Sequence, residues 1–218
     1  MITLPSTYAV IYNPDLTYGT VADNDGNVYK TIKIGTQTWM AENLKTTRYR
    51  NGDPIPNVTD NSNWMALTSG AYCWYKNDAD TYKSTYGAMY NWYAVADSRN
   101  VAPIGWHIPT DAEWTTLATF LGGHDVAGGK LKEIGTTHWL SPNSDATNSS
   151  GFTALPGGRY YNEDVFFPLT FYGYWWSSNS SPYDNTQALN RSLYYNKAFI
   201  GNNGYLKQFG CSVRCVQD

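Results

Sequence analysis

Between Tyr172 and Phe209 the chain carries six Asn, six Tyr and five Ser, but only four charged residues, Asp184, Arg191, Lys197 and Lys207. Within it, Leu189 to Tyr195 alternates. Leu189, Arg191, Leu193 and Tyr195 fall on one face, and Asn190, Ser192 and Tyr194 on the other. A period of two marks a half-buried strand, and the flanking Gly, Pro and Asn supply turns. This stretch is therefore expected to form paired strands whose polar face is built from amides, phenols and hydroxyls. That mixture stacks, hydrogen-bonds and loses little entropy on ordering, as in binder paratopes. The plainer alternative is a polar sheet face that meets only water.

The rest of the composition agrees with a globular β-rich domain. Hydrophobic content of 42% with nine Trp can build a core, and a chain of this size buries roughly 70% of its unfolded surface. Charged residues reach only 15%, against ~25% in an ordinary soluble domain. Solubility then rests on amides and hydroxyls, as in many exported and surface-displayed proteins. A net charge of −3 without a basic run gives nucleic acid no electrostatic footprint. No apolar run approaches the ~20 residues that span a bilayer, so direct membrane insertion is not expected. The start, Met1 to Ser6, shows no secretory signal, lacking both a charged region and an apolar stretch. An extracellular, cell-surface or virion location would then need a removed leader or another export route.

The cysteines are Cys73, Cys211 and Cys215. Four residues along a strand separate the last two by ~13 Å, beyond the ~7 Å that a disulfide allows. A bridge would run from Cys73 to Cys211 or to Cys215; otherwise all three are buried free thiols.

Residues 1–20 read as a tail or lead-in strand, and 21–218 as one domain. Asp23 to Asn27 is a turn before strands Val28 to Ile34 and Thr38 to Met40, since Asp-Gly between strands signals a hairpin. The same run resembles half a calcium loop, but the twelfth position, where that loop needs Glu, is Ile34. A short aromatic strand is expected over Ala71 to Tyr75, and a helix over Gly87 to Ala96 with Met89, Trp92 and Tyr93 at helical spacing. Thr110-Asp-Ala-Glu113 is a capping box, followed by Trp114, Leu117, Ala118 and Leu121 on one face and a Gly122-Gly123 stop. A short helix over Gly129 to Ile134 and a closing strand over Gly210 to Val216 complete the pattern. The fold class is α+β, with two main helices packed on small irregular antiparallel sheets.

Catalytic constellations are sparse. There is no Gly-rich phosphate loop and no Gly-x-Ser-x-Gly elbow. His107, His124 and His138 lack metal-ligand spacing, and His107 reads as a packed strand residue. Asp111 and Glu113 are explained by the helix macrodipole. Of Trp175 and Trp176, adjacent strand residues facing opposite ways, one is expected in the core and the other exposed. No cofactor or metal is expected.

Several segments together resemble the Fibrobacter succinogenes major paralogous domain. They are Ile34-Gly-Thr-Gln-Thr-Trp-Met-Ala-Glu-Asn-Leu44, Tyr86-Gly with Tyr90-Asn-Trp-Tyr-Ala-Val95, and Gly105-Trp-His-Ile-Pro-Thr-Asp-Ala-Glu-Trp114. Gly151-Phe-Thr-Ala-Leu-Pro-Gly-Gly158, Trp175-Trp-Ser-Ser178 and Ser212-Val-Arg-Cys215 complete the set. Ile108 to Trp114 and the Gly-x-x-Val-Arg ending are similar, more distantly, to the formylglycine-generating-enzyme branch of the C-type-lectin fold. That likeness implies a C-terminal strand returning beside the N-terminal one and a ligand face on the last strands. Some relatives are variable proteins of diversity-generating retroelements, whose Asn, Tyr, Ser and Asp positions vary on a fixed scaffold. Two positions depart from the family pattern: Ala102 stands where Cys precedes Pro, and Cys211 where Phe is usual.

The reading is a non-enzymatic binding module of adhesin or receptor-binding type. Its expected ligand face holds Tyr183, Asp184, Asn185, Asn190, Ser192, Tyr194, Asn196, Asn202, Asn203 and Tyr205, presented to a glycan or protein. The alternatives are a copper oxidase like the formylglycine-generating enzyme, and a pilus or virion subunit in a larger surface assembly.

Overall fold

The computed structural model describes residues 9–161 and 166–218. Strands β1 (Gly19–Ala22) and β2 (Val28–Ile34) pair antiparallel, Gly19 opposite Thr31. The turn between them consumes its own carboxylates. Asp23 accepts from the backbone N–H groups of Asp25 and Asn27, each at 2.9 Å, and from the Tyr29 hydroxyl. Asp25 accepts from the Thr47 hydroxyl at 2.8 Å and meets Arg48 at 3.4 Å. The run is a hairpin turn.

Gly35, at φ 62°, turns β2 into β3 (Gln37–Met40). The C-terminal strand β10 (Val216–Gln217) enters beside β3, and β6 (Trp106–His107) closes the sheet in the order β1-β2-β3-β10-β6. The chain's end thus returns to its first sheet. Of the tail or lead-in expected over 1–20, residues 1–8 lie outside the described residues; the rest is not loose, since Tyr12, Leu16 and Tyr18 pack on the core and the Ile11 N–H donates to buried Glu133 at 2.6 Å.

Helix α4 (Asp111–Phe120) follows its sequence signals. The Thr110 hydroxyl accepts from the Glu113 N–H at 3.2 Å, and the Glu113 carboxylate accepts from the Thr110 N–H at 2.7 Å. Trp114, Leu117, Ala118 and Leu121 pack on Ile32, Ile34 and Trp39. Each large side chain so buried contributes about 1.5–3 kcal/mol. Helix α5 (His124–Leu131) starts earlier than the expected Gly129 and ends before Ile134. Its internal glycines mark close approach: a Cβ on Gly128 would lie 2.5 Å from the Phe199 carbonyl oxygen, and one on Gly129 2.4 Å from that of Asp145.

Between these lie α1 (Asn61–Met65), β4 (Tyr72–Cys73), α2 (Ala79–Tyr86), β5 (Met89–Tyr90) and α3 (Trp92–Val95). The helix expected over Gly87 to Ala96 is instead β5 followed by a single turn. Asn91 decides this. Its buried amide oxygen accepts from the N–H groups of Ala94 and Ala71, both at 3.0 Å, and its amide nitrogen donates to the Ser69 carbonyl at 2.8 Å. These bonds hold Asn91 extended, at φ −72° and ψ 160°.

The third sheet comprises β7 (Tyr172–Ser180), β8 (Gln187–Tyr194) and β9 (Gly201–Leu206). The closing strand expected over Gly210 to Val216 is not one strand. Residues 210–212 make single bridges to three partners, Gly210 to Tyr160, Cys211 to Tyr90 and Ser212 to Trp175, and only Val216 belongs to β10. Residues 210–216 are buried throughout. Cys73, Cys211 and Cys215 are free and buried. Burial pushes the Cys211 thiol up to about 12 and the other two higher still. Among the described residues, no helix is long and apolar enough to cross a membrane.

Candidate functional site

The register of the β7-β8-β9 sheet sorts its side chains. Trp175, Arg191 and Asn202 are cross-strand neighbours on one face; Trp176, Asn190 and Asn203 are neighbours on the other. The first face packs on α4. Arg191 Nη2 donates to the Asp111 carboxylate at 2.6 Å and to the Thr115 hydroxyl at 3.0 Å. Burial lowers the Arg191 pKa, and Asp111 opposes that shift.

The second face is covered at one end, where Trp176 Nε1 donates to the Tyr90 carbonyl at 2.8 Å and Trp92 Nε1 to that of Ser177 at 3.0 Å. Both Trp175 and Trp176 are therefore core, and neither is the exposed platform expected of one of them. Toward Tyr172 and Tyr194 the same face is only half buried.

The ten expected ligand residues do not project together. Asn190 and Ser192 are both fully buried. They sit on the central strand, directly opposite Trp176 and Tyr174, so larger rings stand above them. The Asn190 amide donates to the Asn203 carbonyl at 3.1 Å, and the Asn203 amide to the Ser192 hydroxyl at 2.9 Å. Asn202 is exposed, but on the opposite face from Asn203. Tyr183, at 96% exposure, Asp184 and Asn185 lie in the turn 181–186. Asn196 lies in the turn at the other end of β8, ~23 Å away at ~3.3 Å per residue. The Asp184 carboxylate serves its own turn: the Thr186 hydroxyl at 2.6 Å lowers its pKa. Of the ten, Tyr194, Asn203 and Tyr205 remain together on a half-open face.

What joins them is a set of rings that alternation alone does not single out. Tyr161 meets Phe209 at 4.7 Å between centroids, Phe209 meets Tyr205 at 5.7 Å, and Tyr205 meets Tyr174 at 5.7 Å. The series continues from Tyr174 to Tyr172 at 6.0 Å, Tyr172 to Tyr194 at 5.5 Å, and Tyr194 to Phe199 at 5.0 Å. Seven rings form one continuous strip, each pair in the edge or tilted geometry that ring quadrupoles favour. Burial raises the phenol pKa values of Tyr174 and Tyr205, so both stay neutral donors. Two cations bracket the strip. The Arg159 guanidinium lies 4.2 Å from the Tyr205 centroid and 5.0 Å from that of Tyr174, and Lys197 Nζ lies 5.1 Å from that of Phe199. Arg159 sits in a Gly-Gly-Arg-Tyr-Tyr run with no period to read.

Beneath the sheet, residues of the sequence motifs build one buried junction. The Asn43 amide oxygen accepts from Trp175 Nε1 and Arg214 Nε, each at 2.9 Å. Its nitrogen donates to the Tyr86 carbonyl at 2.9 Å and the Ser212 hydroxyl at 3.2 Å. Arg214 also donates to the carbonyls of Phe152 and Thr153. The segments holding Asn43, Tyr86, Phe152, Trp175 and Arg214 thus meet at one point. A family model described as the Fibrobacter succinogenes major domain matches residues 32–217. The chain belongs to that family. The matched span of this Fibrobacter major domain includes the junction, the strip and both bracketing cations. No curated protein and no solved structure matches the chain.

Two other places in this Fibrobacter major domain hold chemistry-bearing groups. His107 lies between Asp218 on Nδ1 at 2.7 Å and Glu113 on Nε2 at 2.8 Å. It is a β6 residue, but an ion-paired one rather than merely packed. Burial alone would lower its pKa; the two carboxylates outweigh that and raise it. The carboxylates flank opposite sides of the ring, and among the described residues no set of three His, Cys, Asp or Glu converges as metal ligands do. A groove of about 780 Å³ runs between the β2–β3 turn and α4, where Lys33 is the one titratable lining side chain. It holds no acid–base pair.

Proposed function

We propose that this Fibrobacter major domain is a non-enzymatic binding module, of adhesin type, whose contact surface is the ring strip on the β7-β8-β9 sheet. The continuous series of seven rings, five of them half buried, flanked by Arg159 and Lys197, carries the reading. Aromatic rings of this kind supply stacking area at low entropic cost, and hydroxyl and amide neighbours give direction. A glycan suits the strip better than a flat protein partner. A protein interface needs ~800 Å² per side, whereas the strip's rings are mostly half covered and Phe209 and Tyr174 are nearly closed. We read the fold as C-type-lectin-like, supported by the return of β10 to the first sheet and by the small curled sheets beside the adjacent helices α4 and α5. A displayed or exported setting follows from that use.

The test is a glycan array probed with the wild-type chain and with the Tyr172→Ala, Tyr194→Ala double variant. Saccharide binding that the double variant loses supports the strip; binding that survives it places the contact elsewhere.

A further inference from the structure

The geometry points to Arg159 as the docking point for a carboxylate on the ligand of the strip, so that the glycan taken here is an acidic, uronate-type saccharide. This rests on the strip being the binding surface.

Arg159, half-buried, differs from the two buried arginines. Arg191 has the Asp111 carboxylate, and Arg214 has three oxygen acceptors. The Arg159 guanidinium instead lies among five rings, those of Tyr205, Phe167, Tyr174, Phe209 and Tyr161, at 4.2, 4.6, 5.0, 5.2 and 5.4 Å. Its Nε and Nη1 are sealed from solvent and have no acceptor. Nη2 is not sealed, and it bonds to no described residue. Ring faces attract a cation, but they offer no counter-charge. The result is a fixed positive group, dry on two nitrogens and open on the third. An anionic oxygen reaching Nη2 would make a charge-assisted hydrogen bond in a water-poor setting, where such bonds are strongest.

The backbone aims this side chain. The Gly158 N–H donates to the Tyr172 carbonyl and the Phe167 N–H to the Arg159 carbonyl, each at 2.8 Å. Gly158 has φ 66°, and a Cβ there would lie 2.3 Å from the Phe167 carbonyl oxygen, so the approach needs glycine. A carboxylate suits the site better than a phosphate. One open nitrogen gives a single contact, while phosphate sites gather several donors. Lys197 at the far end of the strip favours a chain with repeated carboxylates, which would meet both cations while its rings stack between them.

The experiment titrates tryptophan fluorescence with short galacturonate, glucuronate and mannuronate–guluronate oligosaccharides, each beside its carboxyl-reduced neutral form. At least one acidic series should bind about tenfold more tightly than its reduced counterpart, the worth of one charge-assisted bond. Arg159→Gln should erase the preference, binding acidic and reduced forms of the same saccharide alike, and Arg159→Lys should partly restore it. Should Arg159→Gln fail to fold, the wild-type comparison of acidic with reduced forms and the Arg159→Lys affinity still decide. Equal binding of acidic and reduced forms, or full acidic affinity in Arg159→Gln, overturns the carboxylate assignment while the strip reading stands. If no saccharide of either kind binds, both readings fall.

Discussion

Replacing Asn43 with Ala removes one amide and strands four groups. Trp175 Nε1 and Arg214 Nε lose their shared acceptor, and the Tyr86 carbonyl and Ser212 hydroxyl lose a donor. Arg214 is almost fully buried, and burial pulls its pKa down to about 9, so an orphaned Nε–H cannot turn to water. Each of the two stranded donors costs about 1–3 kcal/mol, the charged one at the upper end. The summed loss is about 2–6 kcal/mol, a large share of the ~5–15 kcal/mol that holds a domain folded. At ~2–4 °C per kcal/mol for a chain of this size, a mid-range loss lowers Tm by ~8–16 °C. Asn43→Asp keeps an oxygen for both donors and sets a carboxylate against Arg214, so it should cost less than Asn43→Ala. Urea unfolding followed by tryptophan fluorescence measures both. An Asn43→Ala loss below about 1 kcal/mol, or an Asn43→Asp loss as large as that of Asn43→Ala, would refute the claim that this amide joins the core through its acceptor oxygen.

Two further outcomes can be checked. The His107 pKa is raised in the folded state, so its contribution is full below the unfolded value near 6.5 and fades as pH rises through the folded one. Glu113 is lowered by the Thr110 N–H and by His107 against the opposing effect of burial, so its contribution is full above 4.5 and fades as pH falls through the folded value. The pairing is strongest between those limits, and with side chains 28–57% exposed it is worth less than about 1 kcal/mol after solvent screening. Between pH 6 and 8 the wild type should lose more stability than His107→Gln in parallel urea titrations; equal slopes discount the pairing. Lys132 is fully buried and donates to the carbonyls of Ser144, Tyr194 and Lys197 at 2.9–3.0 Å. Lys132→Met removes the shared donor, leaving the Tyr194 carbonyl only the long bond from the Lys197 N–H, and should cost about 2–4 kcal/mol, with faster amide exchange near residues 194–200; a neutral substitution shows that other donors serve those carbonyls.

Local rules carried the parts of this fold that local chemistry decides. The Thr110–Glu113 box and the Asp23 carboxylate of the Asp23–Asn27 turn find backbone partners within a few residues, so both are legible in the sequence. The helix expected over Gly87 to Ala96 lost to Asn91, whose amide is claimed by Ser69 and Ala71, some twenty residues back. Residues 210–216 alternate like a strand, yet both sides are buried and successive residues pair with different segments. Alternation on β8 correctly separated Asn190 and Ser192 from Arg191 and Leu193. It could not say that Trp176 and Tyr174 rise over the small polar pair and shut it from solvent. Tyr194, Asn203 and Tyr205 do share a face, but the sequence grouped them with seven residues that are buried, lie in turns or face the other way, because the β8–β9 register is not readable from alternation. Arg159 was not legible, because its place depends on a glycine at positive φ and on rings brought in from Phe167 and Phe209.

The free thiols have a consequence for where this chain can mature. With no sulfur bridge to close, folding does not wait on an oxidant, and transfer between reducing and oxidising surroundings leaves the native contacts as they were. Thiols held this far toward their protonated form attack slowly, so mixed species with glutathione should be scarce. The same buried contacts are therefore open to the chain in reducing and in oxidising surroundings.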